Sequence, residues 1–189
     1  MPLYPLGDGT LGLTQPDRAV SALQDQVAQL FEEARDDVYR YLLMLGVHPP
    51  QAQEATQEAF LRLYASMKKG ENIENPRAWV FRVAHNLGLR IRQKQSSQQP
   101  FDPDLEGQIA AAGQNPEQRL IDRERSVRFH KAVEELSEQQ RRCLYLRLEG
   151  MRYPQIGSIL GISASTVGEF LRRAMVRLKK IAVEERKYE

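Results

Sequence analysis

Three histidines, His48, His85 and His130, are the side chains best suited to metal or acid–base chemistry, and they are scattered along the sequence. No HExxH spacing, glycine-rich phosphate loop, nucleophile elbow or paired-carboxylate motif occurs. Metal-assisted hydrolysis, nucleotide chemistry and acyl transfer therefore have no constellation to carry them. Cys143 is the single cysteine, so an intramolecular disulfide and a cysteine-rich zinc site are both excluded. It lies in an amphipathic stretch, which predicts a small buried hydrophobe rather than a nucleophile. The expectation is a binding protein with no catalytic residue, no metal and no cofactor.

The residues able to bind something specific are concentrated in Tyr153–Arg173, YPQIGSILGISASTVGEFLRR. Ile156, Ile159 and Leu160 fall at one-face helical spacing. Gly161 supplies the permissive backbone of a sharp turn, and Ile162 plugs the corner. Ser163 is a good N-cap for a second helix. Within it Val167, Leu171, Ala174, Leu178 and Ile181 recur at steps of four and three and share a buried face. Ser165, Glu169 and Arg172 point the other way, flanked by Thr166 and Arg173, with Arg177, Lys179 and Lys180 following. Two helices joined by a glycine turn, the second outwardly polar and basic at its end, form a helix-turn-helix pattern suited to duplex DNA. An ordinary helical hairpin with a solvated face is the alternative.

The rest of the chain must position this element. With 189 residues it can hold one domain or two small ones. The net charge is only +2, from 27 basic and 25 acidic side chains, so any basic surface is local. Charged residues at 28% and hydrophobic ones at 41% describe a soluble globular protein, and no apolar run reaches membrane-spanning length. The N-terminal stretch lacks a secretory pattern, so a reducing, cytoplasmic setting is expected.

Residues 1–17 hold three prolines and three glycines without helical period and are expected to form a mobile tail. A helix is predicted over Arg18–Leu45, with Leu23, Val27, Leu30, Phe31, Val38, Leu42 and Leu45 inward, ended by Gly46 and Pro49-Pro50. A second, about Gln51–Met67, has Ala52, Ala59, Phe60, Leu63 and Met67 inside. Its opposite face is mixed: Glu54, Gln57, Glu58, Leu61, Tyr64 and Ala65. A leucine and a tyrosine among carboxylates suit protein docking, although single exposed leucines are common. After a loop over Met67–Ala78 comes WVFRVAHNLGLRIRQK. Here Val80, Val83, Ala84, Leu87 and Ile91 are predicted buried, and Arg82, His85, Asn86, Leu89 and Gln93 outside, with Trp79 and Arg90 at the margins. Arg77, Arg82, Arg90, Arg92 and Lys94 make this helix locally basic, as a surface tracking a phosphate backbone and unstacked bases requires. For Trp79 taken alone, a core position is the favoured reading.

Residues 95–116 are rich in Gln, Ser, Pro and Gly and read as a flexible linker. Helical pattern returns near Glu117, with Leu120, Val127, Phe129, Val133 and Leu136 apolar. Ser137-Glu138-Gln139-Gln140 forms a capping-box start, and Cys143, Leu144, Leu146 and Leu148 are available for the core of the next helix. The fold class expected is all-α: two small helical bundles joined by the linker, with domains at 18–94 and 117–189.

QEAFLRLY, a polar loop, RAWVFRVAHN, a linker, LSEQQR and EGMRYPQIGSILGISASTV resemble, in that order, the extracytoplasmic-function (ECF) group of bacterial RNA polymerase sigma factors. The resemblance covers about Leu23–Ala182. It implies a first domain (region 2) that binds the polymerase clamp and the melted −10 element, and a second (region 4) that binds the −35 element and the flap. It also implies that the polymerase does the chemistry, and an anti-sigma protein is a common further partner in the group. Carried over by position, Gln57, Glu58, Phe60 and Leu61 match the group's polymerase-docking and packing block, and Glu54 and Tyr64 lie on the same docking side. Lys68, Lys69, Asn72, Asn75, Arg77, Trp79, Arg82, Asn86 and Arg90 fall on the −10 side. Ser165, Thr166, Glu169, Arg172, Arg173 and Arg177 fall on the −35 side. Three departures stand out. Glu54 is the single carboxylate of Gln51–Thr56, where the group usually has an acidic cluster; Arg90 replaces a usual aspartate; and Gly168-Glu169-Phe170 replaces the common Lys-Ser-Arg. Glu169 is then expected to accept from a cytosine amine in the major groove, with Arg172 on a guanine or a phosphate. The alternatives are a stand-alone helix-turn-helix regulator with an N-terminal sensing or dimerisation domain, and an enzyme with an accessory DNA-binding tail.

Overall fold

The computed structural model describes residues 15–96 and 133–185, and every regular element among them is helical. Three helices precede the gap: α1 (Gln15–Met44), α2 (Pro49–Lys68) and α3 (Pro76–Ser96). Three follow it: α4 (Glu138–Leu148), α5 (Tyr153–Leu160) and α6 (Ala164–Glu185). Helix α1 starts three residues before the expected Arg18, and α3 runs two residues past Lys94 into the expected linker. The remainder of that linker and Leu120, Val127, Phe129 and His130 lie outside the described residues.

In the first group α1 ends because Gly46 takes a positive φ of 82°. That lets Gly46 N–H reach Leu43 O (2.8 Å) and Val47 N–H reach Leu42 O (3.1 Å), which satisfies carbonyls the helix would leave open. Pro49 and Pro50 then open α2, where a missing N–H costs nothing. The expected inner residues Val27, Val38, Leu42, Leu45, Ala52, Ala59, Phe60, Leu63, Val80 and Ala84 are all buried. Phe31 meets Phe60 edge to face at 5.0 Å. Gly88 lets α3 close on α1, since a Cβ there would sit 2.9 Å from a Leu42 methyl. Each fully buried leucine or phenylalanine contributes about 1.5–3 kcal/mol.

The second group opens on the expected capping box: Gln140 N–H donates to Ser137 Oγ (3.3 Å) and Ser137 N–H to Gln140 Oε1 (3.0 Å). Leu136, Cys143, Leu146, Met151, Ile156, Ile159, Val167, Leu171 and Ala174 are buried. Leu148, expected to be available for the core, is 71% exposed. The stripe that α4 buries runs through Arg142, Cys143 and Leu146 instead, and Leu148 falls on its far side.

The two groups abut, because α5 packs on α3. Tyr145 of α4 lies tilted against Tyr41 of α1, with ring centroids 5.5 Å apart, and donates its hydroxyl to Asp37 O (3.1 Å). This seam corrects the placement of His85, which was expected on the outside of α3 and is 4% exposed. Its Nδ1 sits 2.9 Å from the Tyr41 hydroxyl, and burial pushes its pKa down to about 4, helped by the Arg142 charge. A helical wheel of α3 alone has no means of showing that a second helical group covers this side. Phe81 was also not expected inside. It is fully buried, edge-on to Tyr41 at 5.6 Å.

Candidate nucleic-acid interfaces

The turn between α5 and α6 is a close backbone crossing. Gly161 takes the left-handed conformation (φ 69°), and Ile162 N–H donates to Gly157 O at 3.0 Å. Ser163 caps α6, accepting from Thr166 N–H at 3.1 Å, while its hydroxyl also bonds Ser165 Oγ and Thr166 Oγ1. Val167, Leu171 and Ala174 anchor one side of α6 in the core. Ser165, Arg172, Arg173 and Arg177 are exposed on the other, with Thr166 and Glu169 half-buried. The six residues expected to face duplex DNA therefore share one accessible surface.

Glu169 is the exception to simple base reading. Its carboxylate accepts from Arg172 Nε (3.0 Å) and Nη2 (2.9 Å) and from Arg173 Nε (2.7 Å). These hydrogen bonds hold its pKa well below the usual carboxylate range. Both oxygens are occupied, so in this state Glu169 orients two arginines. Such surface pairs are screened by solvent and weak enough for a base or phosphate to displace.

Gly168 has room for a methyl group: a Cβ would lie 3.5 Å from the Tyr153 ring, an ordinary contact. Gly168→Ala should therefore stabilise the helix-turn-helix by about 0.5–1 kcal/mol, the helix-propensity difference. A higher urea midpoint at unchanged slope is the expected result. A lowered midpoint would mean that Tyr153 cannot accommodate the methyl.

A second polar surface runs along α3. Arg82, Asn86 and Arg90 are exposed at steps of four, with Trp79 half-buried one turn earlier. Lys68, Lys69 and Asn72 are exposed at and beyond the end of α2. Two of the residues expected on this surface have structural duties. Asn75 caps α3, its Oδ1 accepting from Ala78 N–H at 2.8 Å. Arg77 donates to both Asp37 and Glu149, each at 2.7 Å, and lies over the Phe81 ring.

The docking candidates are likewise together on α2. Glu54, Gln57 and Leu61 are exposed, Leu61 by 63%, while Glu58 and Tyr64 are half-buried. Glu58 holds Arg62 at 2.7 Å, and Lys68 lies over the Tyr64 ring. Glu54 and Glu58 also line a groove of about 430 Å³ between α2 and α3, with Gln51, Leu87, Ile91 and Lys94. Burial pushes the Cys143 thiol up to about 11, and the described residues contain no cluster of three metal-ligating side chains.

Asp37, Tyr145 and Glu149 were missed in the sequence. Their pairing is non-local, and nothing in their spacing announces it.

Residues 30–98 match the family described as Sigma-70 region 2, and residues 126–178 match Sigma-70, region 4. The ECF RNA polymerase sigma factor SigW of Bacillus subtilis is 28% identical, over 83% of this chain and 89% of that protein. The RNA polymerase sigma factor YlaC of the same organism is 24% identical, over 88% and 97%. In fold, the chain is similar to the sigma factor RpoE of Bartonella quintana, solved with the anti-sigma factor NepR. The TM-score is 0.59 at 22% identity, covering 82% of this chain and 95% of that one. CnrH, solved with the cytosolic domain of CnrY, gives 0.56 at 17% identity, covering 88% and 94%.

Proposed function

The chain belongs to the sigma-70 family of RNA polymerase sigma factors, in the extracytoplasmic-function group, and from that premise we propose how its surfaces direct promoter-specific initiation. The observation that carries the reading is the coexistence of three separate accessible surfaces on one chain. One is basic and presented by a helix-turn-helix, one is basic with an exposed asparagine, and one is mixed with an exposed leucine.

The α6 surface docks in the major groove of the −35 element. Ser163, by capping α6, fixes the end of the helix that enters the groove. Ser165, Thr166 and Arg172 reach the bases or the adjacent backbone, with Arg173 and Arg177 on phosphates. Glu169 sets the directions of Arg172 and Arg173, and accepts from cytosine only where a base pair releases it from them.

The α3 surface and the 67–78 loop hold the −10 element once it is melted. Extruding a base costs a few kcal/mol, which stacking on Trp79 and phosphate contacts from Lys68, Lys69, Arg82 and Arg90 offset. Asn72 and Asn86 supply paired donor and acceptor groups suited to an unpaired base edge. The α2 surface, Glu54, Gln57, Glu58, Leu61 and Tyr64, docks on the polymerase clamp, and the second helical group docks on the flap. The polymerase performs the chemical steps, in the cytoplasm. An anti-sigma protein is a further partner, as NepR is for its own sigma factor. Among the described residues no helix is long and apolar enough to cross a membrane.

Leu61→Asp combined with Glu58→Lys tests the docking surface. Leu61 is 63% exposed, so a charge there strands nothing in the core, and helicity should be unchanged. Capture by core polymerase should fall at least about tenfold, the scale of losing one central interface contact. Undiminished capture by a normally folded variant would remove α2 from the docking surface.

A further inference from the structure

Helix α6 offers the duplex two arginines that share one carboxylate. Glu169 precedes Arg172 by three residues and Arg173 by four, so helix geometry sets all three on one accessible face. Arg172 grips the carboxylate with two donors, Nε at 3.0 Å and Nη2 at 2.9 Å, and Arg173 adds its Nε at 2.7 Å. The three side chains stay open to solvent, Glu169 by 41% and the arginines by 65% and 60%. Ser165, one turn earlier, has its hydroxyl engaged with Ser163 Oγ at 2.8 Å.

The donors that hold Glu169 are those that DNA would use. A guanidinium edge that grips a carboxylate with two parallel donors is the same planar fork that grips guanine O6 and N7, or a phosphate. Arg172 cannot offer that edge to both at once. On duplex of arbitrary sequence, phosphates compete for both arginines, and drawing them away leaves the carboxylate without a donor beside a polyanion. Left in place, two guanidiniums and one carboxylate amount to a single net positive charge. Either way phosphate attraction, the source of sequence-independent binding, is blunted. A cytosine amine and a neighbouring guanine within reach change the balance, because cytosine donates to Glu169 while guanine accepts from Arg172. Every group then has a partner. A penalty on the wrong sequence discriminates as well as a reward for the right one.

We infer that Glu169 is a specificity-determining residue that acts against DNA of the wrong sequence: it withholds Arg172 and Arg173 from phosphates until a duplex presents a cytosine amine and a guanine in register. The inference rests on the reading above that α6 docks on the −35 element. It gives the carboxylate a role on every duplex the chain meets, beyond its contact with one base.

The test uses the full chain and Glu169→Gln, which keeps the shape and removes the charge. Binding of the chain to random-sequence duplex should tighten about three- to tenfold at low salt, and its log–log salt slope should steepen by about 1–2, roughly one for each arginine freed. In complex with core polymerase, the preference for a duplex carrying a −35 element selected with that complex, over the random duplex, should fall about tenfold. The same substitution on an Arg172→Ala, Arg173→Ala background separates withholding from plain repulsion between Glu169 and phosphate. With no arginine to release, the gain on random duplex should shrink to less than about twofold. An unchanged slope, a gain of full size without the arginines, or an intact sequence preference overturns the inference. If the wild-type chain adds no sequence preference to core polymerase, the sigma-factor reading fails instead, and the random-duplex measurements still decide whether Glu169 withholds the arginines.

Discussion

Gly157→Ala is expected to disable the helix-turn-helix. A Cβ at this position would lie 2.6 Å from the Ile162 carbonyl oxygen, closer than any ordinary contact. The obstacle is backbone, so no side-chain rotamer relieves it. The Ile162 N–H to Gly157 O hydrogen bond that closes the turn would lengthen or break as α5 and α6 move apart. Overpacking of this kind costs about 1–3 kcal/mol, and it would tilt α6, whose outer face carries Ser165, Glu169 and Arg172. The urea midpoint should drop and affinity for duplex carrying the −35 element should fall with it. Gly168→Ala, eleven positions on in the same motif, should shift the midpoint the other way. A Gly157→Ala protein as stable as wild type would show that the crossing is looser than described.

The second large effect is acid sensitivity carried by His85. Its folded pKa is pushed down to about 4 by burial and by Arg142, against an ordinary value of 6.5. The folded state therefore prefers the neutral ring. Above about pH 6.5 neither state holds the proton. Between about 6.5 and 4 the unfolded chain takes it and the folded chain does not, so stability falls with pH through that window. A depression of this size corresponds to on the order of 3 kcal/mol. Tyr41, Arg142 and Glu138 are the titratable groups that act on the ring. Glu138 keeps a lowered pKa, because Arg92 and Arg142 outweigh its burial. Asparagine can present a hydrogen-bonding group near the position of Nδ1 but cannot titrate. His85→Asn should flatten the stability profile between pH 6.5 and 4 relative to wild type, with other carboxylates acting equally on both. Parallel profiles would mean that His85 is protonated in the folded chain and opens toward water.

Much of this fold was legible because its signals are local. The capping box at Ser137, the breaks at Gly46 and Gly161, and the three-and-four spacing of Val167, Leu171 and Ala174 each depend on residues within one or two turns. The surfaces on α2 and α6 were legible for the same reason: a helix with one apolar face declares its other face. What the sequence hid was long-range. His85 and Phe81 pack on Tyr41 of α1, the abutting second group brings Arg142 near His85, and Arg77 is held by carboxylates 40 and 72 residues away. Glu169 carried an intermediate lesson. Its spacing to Arg172 and Arg173 was visible, and i, i+3 and i, i+4 pairing follows from helix geometry alone. Base and arginines compete for the same two carboxylate oxygens, and the arginines hold them in the free chain.

The central claim, that this chain confers promoter recognition on a polymerase, is tested most directly by transcription from a closed duplex template bearing −10 and −35 elements chosen by selection with the reconstituted complex. Core polymerase alone and the chain alone should each give no specific transcript. The two together should give one defined start, and its yield should fall when either element is scrambled. A specific complex with duplex DNA formed by the chain alone, together with no polymerase-dependent transcript, would contradict the account and leave a stand-alone helix-turn-helix regulator in its place.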